Sequence, residues 1–212
     1  MTRELDLTLY LVAGDEVCGE RGLLETVRVA IAGGVTAVQL RDHGATTRQL
    51  LDVALQLRAL LKTTGVGLVV NDRLDVAMAA GADGVHLGQS DLPAEAARSI
   101  AGPDFVIGWS VTNLAEAESA AALPPGTIDY LGVGPVFATQ TKLDAAAPMG
   151  VEGLRHVCAV SAVPCVAIGG ITADRAAELV AAGAAGIAVV AAICSAEDPR
   201  VAAAELRRRS GR

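Results

Sequence analysis

Eight short apolar runs alternate with eight stretches of helical period along the 212 residues, and few folds accept that rhythm. The runs lie at 7–12, 37–41, 67–71, 84–87, 106–110, 129–133, 165–168 and 186–190, with starts about 25 residues apart. Between them the helical pattern occupies 21–32, 47–62, 74–80, 94–100, 114–121, 151–160, 173–182 and 199–208. Several helices open on capping residues, Thr46, Asn113 and Thr172 among them, and several close on glycine, as at Gly33, Gly65, Gly81 and Gly183. The phrases AGGVTAVQLR, AAGADGVHLG and AAGAAGIAVV repeat one joint, in which a helix ends on a small residue and glycine, turns tightly and enters a strand. Eight such βα units predict an α/β chain folded as a single (βα)8 TIM barrel over residues 1–212. An open doubly wound sheet would need a glycine-rich turn after the first strand, where Ala13, Gly14 and Asp15 supply one glycine only.

Composition narrows the function. Hydrophobic residues make up 52% and aromatics 2%, so the core must be built from Ala, Val, Leu and Ile. Against 24 acidic residues stand 17 basic ones, a formal charge of −7 that argues against a nucleic-acid surface and makes any anion binding local. Neither a membrane span nor a secretory signal is evident at the N-terminus. Cys18, Cys158, Cys165 and Cys194 are scattered in apolar surroundings without CxxC spacing, and read as buried reduced thiols of a cytoplasmic protein.

In a barrel of this kind, reactive groups gather at the C-terminal ends of the strands. Those positions here are Gln39, Arg41 and His43; Asn71 and Asp72; Gln89 and Asp91; Ser110; Thr139, Thr141 and Lys142; and Gly169 and Gly170. The segment LGVGPVFATQTKLD joins the sixth strand to a loop with two hydroxyls and an ammonium within four residues, a combination suited to phosphate oxygens. Gly132, Gly134 and Pro135 are expected to turn that backbone sharply towards a ligand. His86 and His156 read as structural, one in a strand and one in a helix.

The motifs QLRDH at 39–43, NDR at 71–73, GADGVHLGQSD at 81–91, Ser110, GVGPVFATQTK at 132–142 and IGGI at 168–171 run in order along the chain. In that order they resemble the thiamine-phosphate synthase family. The resemblance implies an enzyme joining a hydroxymethylpyrimidine diphosphate to a thiazole phosphate, with small-molecule substrates, no nucleic acid and no membrane. It also implies Mg²⁺ on Asp72 and Asp91, and Asn71, Arg41, Ser110 and Lys142 on the diphosphate, with Arg41, Ser110 and Lys142 as the catalytic set. Gln39 and His43 join the substrate-binding residues, and the thiazole phosphate is implied to lie against Thr139, Thr141, Gly170, Val190 and Ala191. On residue chemistry alone, Asp72 and Asp91 also suit helix caps, and Gly169 with Gly170 suits a tight turn.

Four positions depart from the family pattern: His43 replaces a usual lysine, Ala138 a proline, Thr112 a histidine and Ala191 a serine. Of these His43 touches expected chemistry. Beside a diphosphate it predicts a sharper loss of affinity than lysine would show between about pH 6 and 8. Two other readings stay open at this stage, a thiazole tautomerase on the same barrel and a non-catalytic phosphate-binding barrel.

Overall fold

The computed structural model describes residues 5–139, 141 and 146–211. Its strands are β1 (Leu9–Ala13), β2 (Ala37–Leu40), β3 (Gly67–Asn71), β4 (Gly84–Leu87), β5 (Val106–Val111), β6 (Tyr130–Val133), β7 (Cys165–Ile168) and β8 (Gly186–Val189). Each pairs in parallel with its sequence neighbour, and β8 closes on β1. The expected (βα)8 barrel is therefore the observed one. Among the described residues the helices are α1 (Asp15–Cys18), α2 (Leu23–Ala32), α3 (Thr47–Leu61), α4 (Leu74–Ala79), α5 (Ala94–Ala101), α6 (Leu114–Ala121), α7 (Gly150–Val160), α8 (Ala176–Ala181), α9 (Ala191–Cys194) and α10 (Pro199–Arg209).

Two apolar layers hold the barrel. Between strands and helices lies a continuous aliphatic core that includes Leu11, Val38, Leu68, Val85, Ile107, Leu131 and Ile187. The second layer fills the interior with Tyr10, Val12, Ala37, Val69, Val106, Tyr130, Val166 and Ala188. Mostly small side chains close this narrow barrel, and the two tyrosines occupy the space they leave. Their hydroxyls carry polarity into the middle of the fold.

The local differences from expectation have physical causes. The first helical stretch breaks into α1, a 3₁₀ turn at Gly19–Arg21 and α2, because Gly19 and Gly22 both take positive φ. α9 is a single turn, too short to leave a period in the sequence. Thr46 caps α3 in a capping box with Gln49, and Asn113 accepts the Glu116 amide at the start of α6. Thr172, expected to cap, heads only the 3₁₀ turn Ala173–Arg175 and its side chain caps no amide. Gly132 is not a turn residue: it sits inside β6, and the space a Cβ would take is filled by the His86 ring, with Cε1 2.8 Å away. All four thiols are reduced; Cys158 is half-buried and the other three buried. Cys18 lies beside Cys194 and Cys158 beside Cys165, pairs that sequence separation conceals. No helix among the described residues is long and apolar enough to cross a membrane.

Candidate active site

A cavity of about 1280 Å³ opens at the C-terminal ends of the strands. Gln39, Arg41, His43, Asn71, Asp72, Asp91, Ser110, Thr139, Thr141, Gly170, Val190 and Ala191 all line it. Every expected site residue but one thus borders a single space; the exception, Lys142, lies outside the described residues.

On one side of the mouth stand the carboxylates. Asp72 adopts φ 60°, a left-handed conformation rare outside glycine, with its amide donating to the His86 carbonyl at 2.8 Å. The residue flanking α4 is Arg73, and the one flanking α5 is Pro93, so neither aspartate occupies a cap position. Asp91 instead closes a turn on Gly88: its Oδ2 accepts the Gly88 amide at 2.7 Å, and its own amide donates to the Gly88 carbonyl at 3.2 Å. His43 Nδ1 lies 3.9 Å from Asp72 Oδ2, with the imidazole largely exposed. Among the described residues the Arg41 guanidinium has no hydrogen-bond or ion-pair partner, which leaves a cation free for a ligand.

No group of three or more His, Cys, Asp or Glu side chains that could hold a metal occurs among the described residues. Asp72 and Asp91 bring two carboxylates to the cavity, hard oxygen ligands of the kind a Mg²⁺ would take together with phosphate oxygens and water.

The opposite wall is largely backbone. Gly169 and Gly170 take φ 101° and 61°, and a Cβ on either would collide with the 135–138 segment that crosses them. That segment extends the β7 edge, the Val136 amide donating to the Ile168 carbonyl at 2.9 Å and the Phe137 amide to the Gly169 carbonyl at 3.0 Å. Arg175 clamps it, with its guanidinium carbon 4.2 Å from the Phe137 ring centre and Nη1 donating to the Gly170 carbonyl at 3.0 Å. The two glycines are thus a tight turn and also the reason the β6 loop can seat against β7. At the edge of the described loop the Thr141 amide donates to Thr139 Oγ1 at 3.3 Å. Thr112 lies nearby, with its hydroxyl on the Glu116 carboxylate at 3.0 Å, so this position brings a carboxylate partner and no basic nitrogen.

The floor holds what the sequence reading missed. His86 is buried there, with Nδ1 2.9 Å from the Tyr130 hydroxyl and Nε2 2.8 Å from Ser110 Oγ. Tyr130 meets Tyr10, hydroxyl to hydroxyl, at 2.9 Å, and Gln39 Nε2 donates to Tyr10 at 3.1 Å. Burial lowers the His86 pKa to about 4, the Asp91 charge opposing it only in part, and burial pushes both phenols well above their usual range. His86 is therefore a neutral group beneath the cavity and not merely core. Two glycines in neighbouring strands, Gly108 and Gly132, were the signal, since each leaves the room that this ring and phenol occupy.

Residues 9–193 match the family model for thiamine monophosphate synthase. The chain belongs to that family. It is 52% identical to thiamine-phosphate synthase of Albidiferax ferrireducens over 95% of this chain and 90% of the relative. With the enzyme of the same name from Azorhizobium caulinodans it shares 51% identity, over 98% and 96% respectively. A solved thiamine phosphate pyrophosphorylase from Pyrococcus furiosus superposes with a TM-score of 0.87 at 42% identity, covering 98% of this chain and 96% of that one. As a family member the chain is a transferase of thiamine biosynthesis, and it acts on small molecules.

Proposed function

We propose that this transferase condenses 4-amino-2-methyl-5-hydroxymethylpyrimidine diphosphate with a thiazole phosphate, giving thiamine phosphate and pyrophosphate. The bond between the pyrimidine methylene and the diphosphate oxygen breaks, and its electron pair leaves with pyrophosphate. A new bond forms from the thiazole nitrogen lone pair to that methylene. The reaction transfers no proton and requires no protein nucleophile. The protein's work is to gather two anionic substrates and to stabilise charge as it accumulates on the leaving group.

Arg41, Asn71, Ser110 and Lys142 take the diphosphate in this reading, with the Arg41 guanidinium suited to bidentate contact. His43 adds a hydrogen bond on the same side, and Gln39 faces the pyrimidine from the floor. Asp72 and Asp91 hold Mg²⁺, which when bound neutralises phosphate charge. Across the cavity the thiazole phosphate rests on Thr139, Thr141 and the amides of Gly170, Val190 and Ala191, where loops after β7 and β8 commonly receive phosphate in this fold. One observation carries the reading: the Arg41 guanidinium, without a partner among the described residues, and two carboxylates line one side of the cavity, while hydroxyls and backbone line the other.

The test is pyrophosphate release from both substrates with Mg²⁺, run beside Asp72→Asn and Asp91→Asn. Metal-dependent release that falls on the order of 100-fold in each variant supports the assignment. Undiminished release in either folded variant removes that residue from the metal site.

A further inference from the structure

We infer that Gln39, Tyr10, Tyr130 and His86 form a one-way hydrogen-bond relay that makes Ser110 Oγ accept from His86 and turns the Ser110 O–H, as a donor, into the cavity. The direction is set at one end by the Gln39 amide, which turns Nε2 and not Oε1 towards Tyr10. Gln39 Nε2 carries hydrogens and can only donate, so the Tyr10 oxygen 3.1 Å away accepts. Tyr10 then has one hydrogen to place, and its remaining described partner is the Tyr130 oxygen at 2.9 Å. Both tyrosines are 1% exposed, which keeps solvent from supplying an alternative. Having accepted from Tyr10, Tyr130 donates to His86 Nδ1 at 2.9 Å. That nitrogen is therefore the bare one, the ring proton sits on Nε2, and Nε2–H donates to Ser110 Oγ at 2.8 Å.

The consequence lies at the serine. Ser110 lines the cavity, and its carbonyl is fixed by Gln89 Nε2 at 2.7 Å. An unconstrained hydroxyl presents either its hydrogen or its lone pairs. With Nε2–H committed to it, the hydrogen is the part left over, and it complements phosphate oxygens, which only accept. Were the relay reversed, Ser110 would donate to His86 and show lone pairs to an anion. Gly108 and Gly132 hold the geometry, since a Cβ at either would press on the His86 ring. Tyr10, Tyr130 and His86 are thus positioning residues that act through Ser110.

The effect on turnover rests on the proposed diphosphate role of Ser110, whereas the tautomer is measurable without any ligand. In ¹⁵N-histidine-labelled, ligand-free protein, His86 is expected to show a protonated Nε2 and a bare Nδ1 at neutral pH, and to lose that single state in Tyr130→Phe. In kinetics, Tyr130→Phe is expected to lower kcat/KM about tenfold, but less than about twofold in a Ser110→Ala background. Tyr10→Phe breaks the same relay one step earlier and serves if Tyr130→Phe does not fold. A protonated Nδ1, or losses that multiply in the double variant, would overturn the relay. Failure of wild-type protein to release pyrophosphate would instead overturn the proposed reaction, with the tautomer still deciding the relay.

Discussion

At the scale of single residues, the site depends on groups that make room as much as on groups that bind. Gly132 shows this best: a methyl there would lie 2.8 Å from His86 Cε1, and the ring has β5 and Tyr130 behind it. Gly132→Ala is expected to cost ~1–3 kcal/mol from overpacking, and to lower kcat/KM by displacing His86 from Ser110. Urea unfolding and steady-state kinetics on one preparation would check both effects. His43 stands 3.9 Å from the Asp72 carboxylate, at the edge of the cavity. His43→Ala is expected to raise KM for the pyrimidine diphosphate about threefold, read in steady-state kinetics, and an unchanged KM would remove His43 from the diphosphate site. The strand-end residues were legible in the sequence because the fold dictates where they point. The Tyr10–Tyr130–His86 contacts were not, since 120 residues separate the two tyrosines and nothing local marks them as partners.

At the scale of elements, the repeated helix-to-strand joint does more than turn the chain. Gly34, Gly81 and Gly183 occupy equivalent places in the three phrases and all take positive φ. Two residues further on, just before the next strand, Thr36 and Asp83 reach back to the preceding one. Thr36 Oγ1 accepts the Leu9 amide at 3.0 Å and Asp83 Oδ2 the Leu68 amide at 2.8 Å, while their own amides donate to the Leu9 and Leu68 carbonyls at 2.9 and 2.8 Å. Asp129 does the same to Ile107 ahead of β6, at 2.6 and 2.8 Å. These side chains satisfy amides at the closed end of the barrel, away from the chemistry. Asp83→Ala strands the buried Leu68 amide and should cost ~1–3 kcal/mol in urea unfolding, leaving KM values unchanged. Ala185, which precedes β8 with no side chain to offer, is the natural comparison. The glycines and strand order could be read from the sequence. The staples, α9 and the broken first helix could not, because each rests on one or two residues whose role appears only when strands lie side by side.

At the scale of the whole molecule, strands supply fixed side chains on one half of the mouth and loops supply backbone on the other. Stability and site share the same buried histidine, and pH should reveal it. Burial takes His86 to about 4 in the folded chain, against ~6.5 for a histidine in water. Between those values the unfolded chain binds the additional proton. The stabilisation from a neutral His86 is therefore complete above ~6.5 and is lost as pH falls towards 4, by at most ~1.4 kcal/mol per pH unit. Unfolding free energies at pH 7 and 5 should differ more for the wild type than for His86→Gln. Equal differences would place the acid sensitivity elsewhere. The reaction itself can be followed by mass spectrometry of purified protein with Mg²⁺ and each substrate alone or both together. The expected result is thiamine phosphate and pyrophosphate in equal amounts, formed only when both substrates are present. Folded protein that yields no thiamine phosphate from the pair would contradict it.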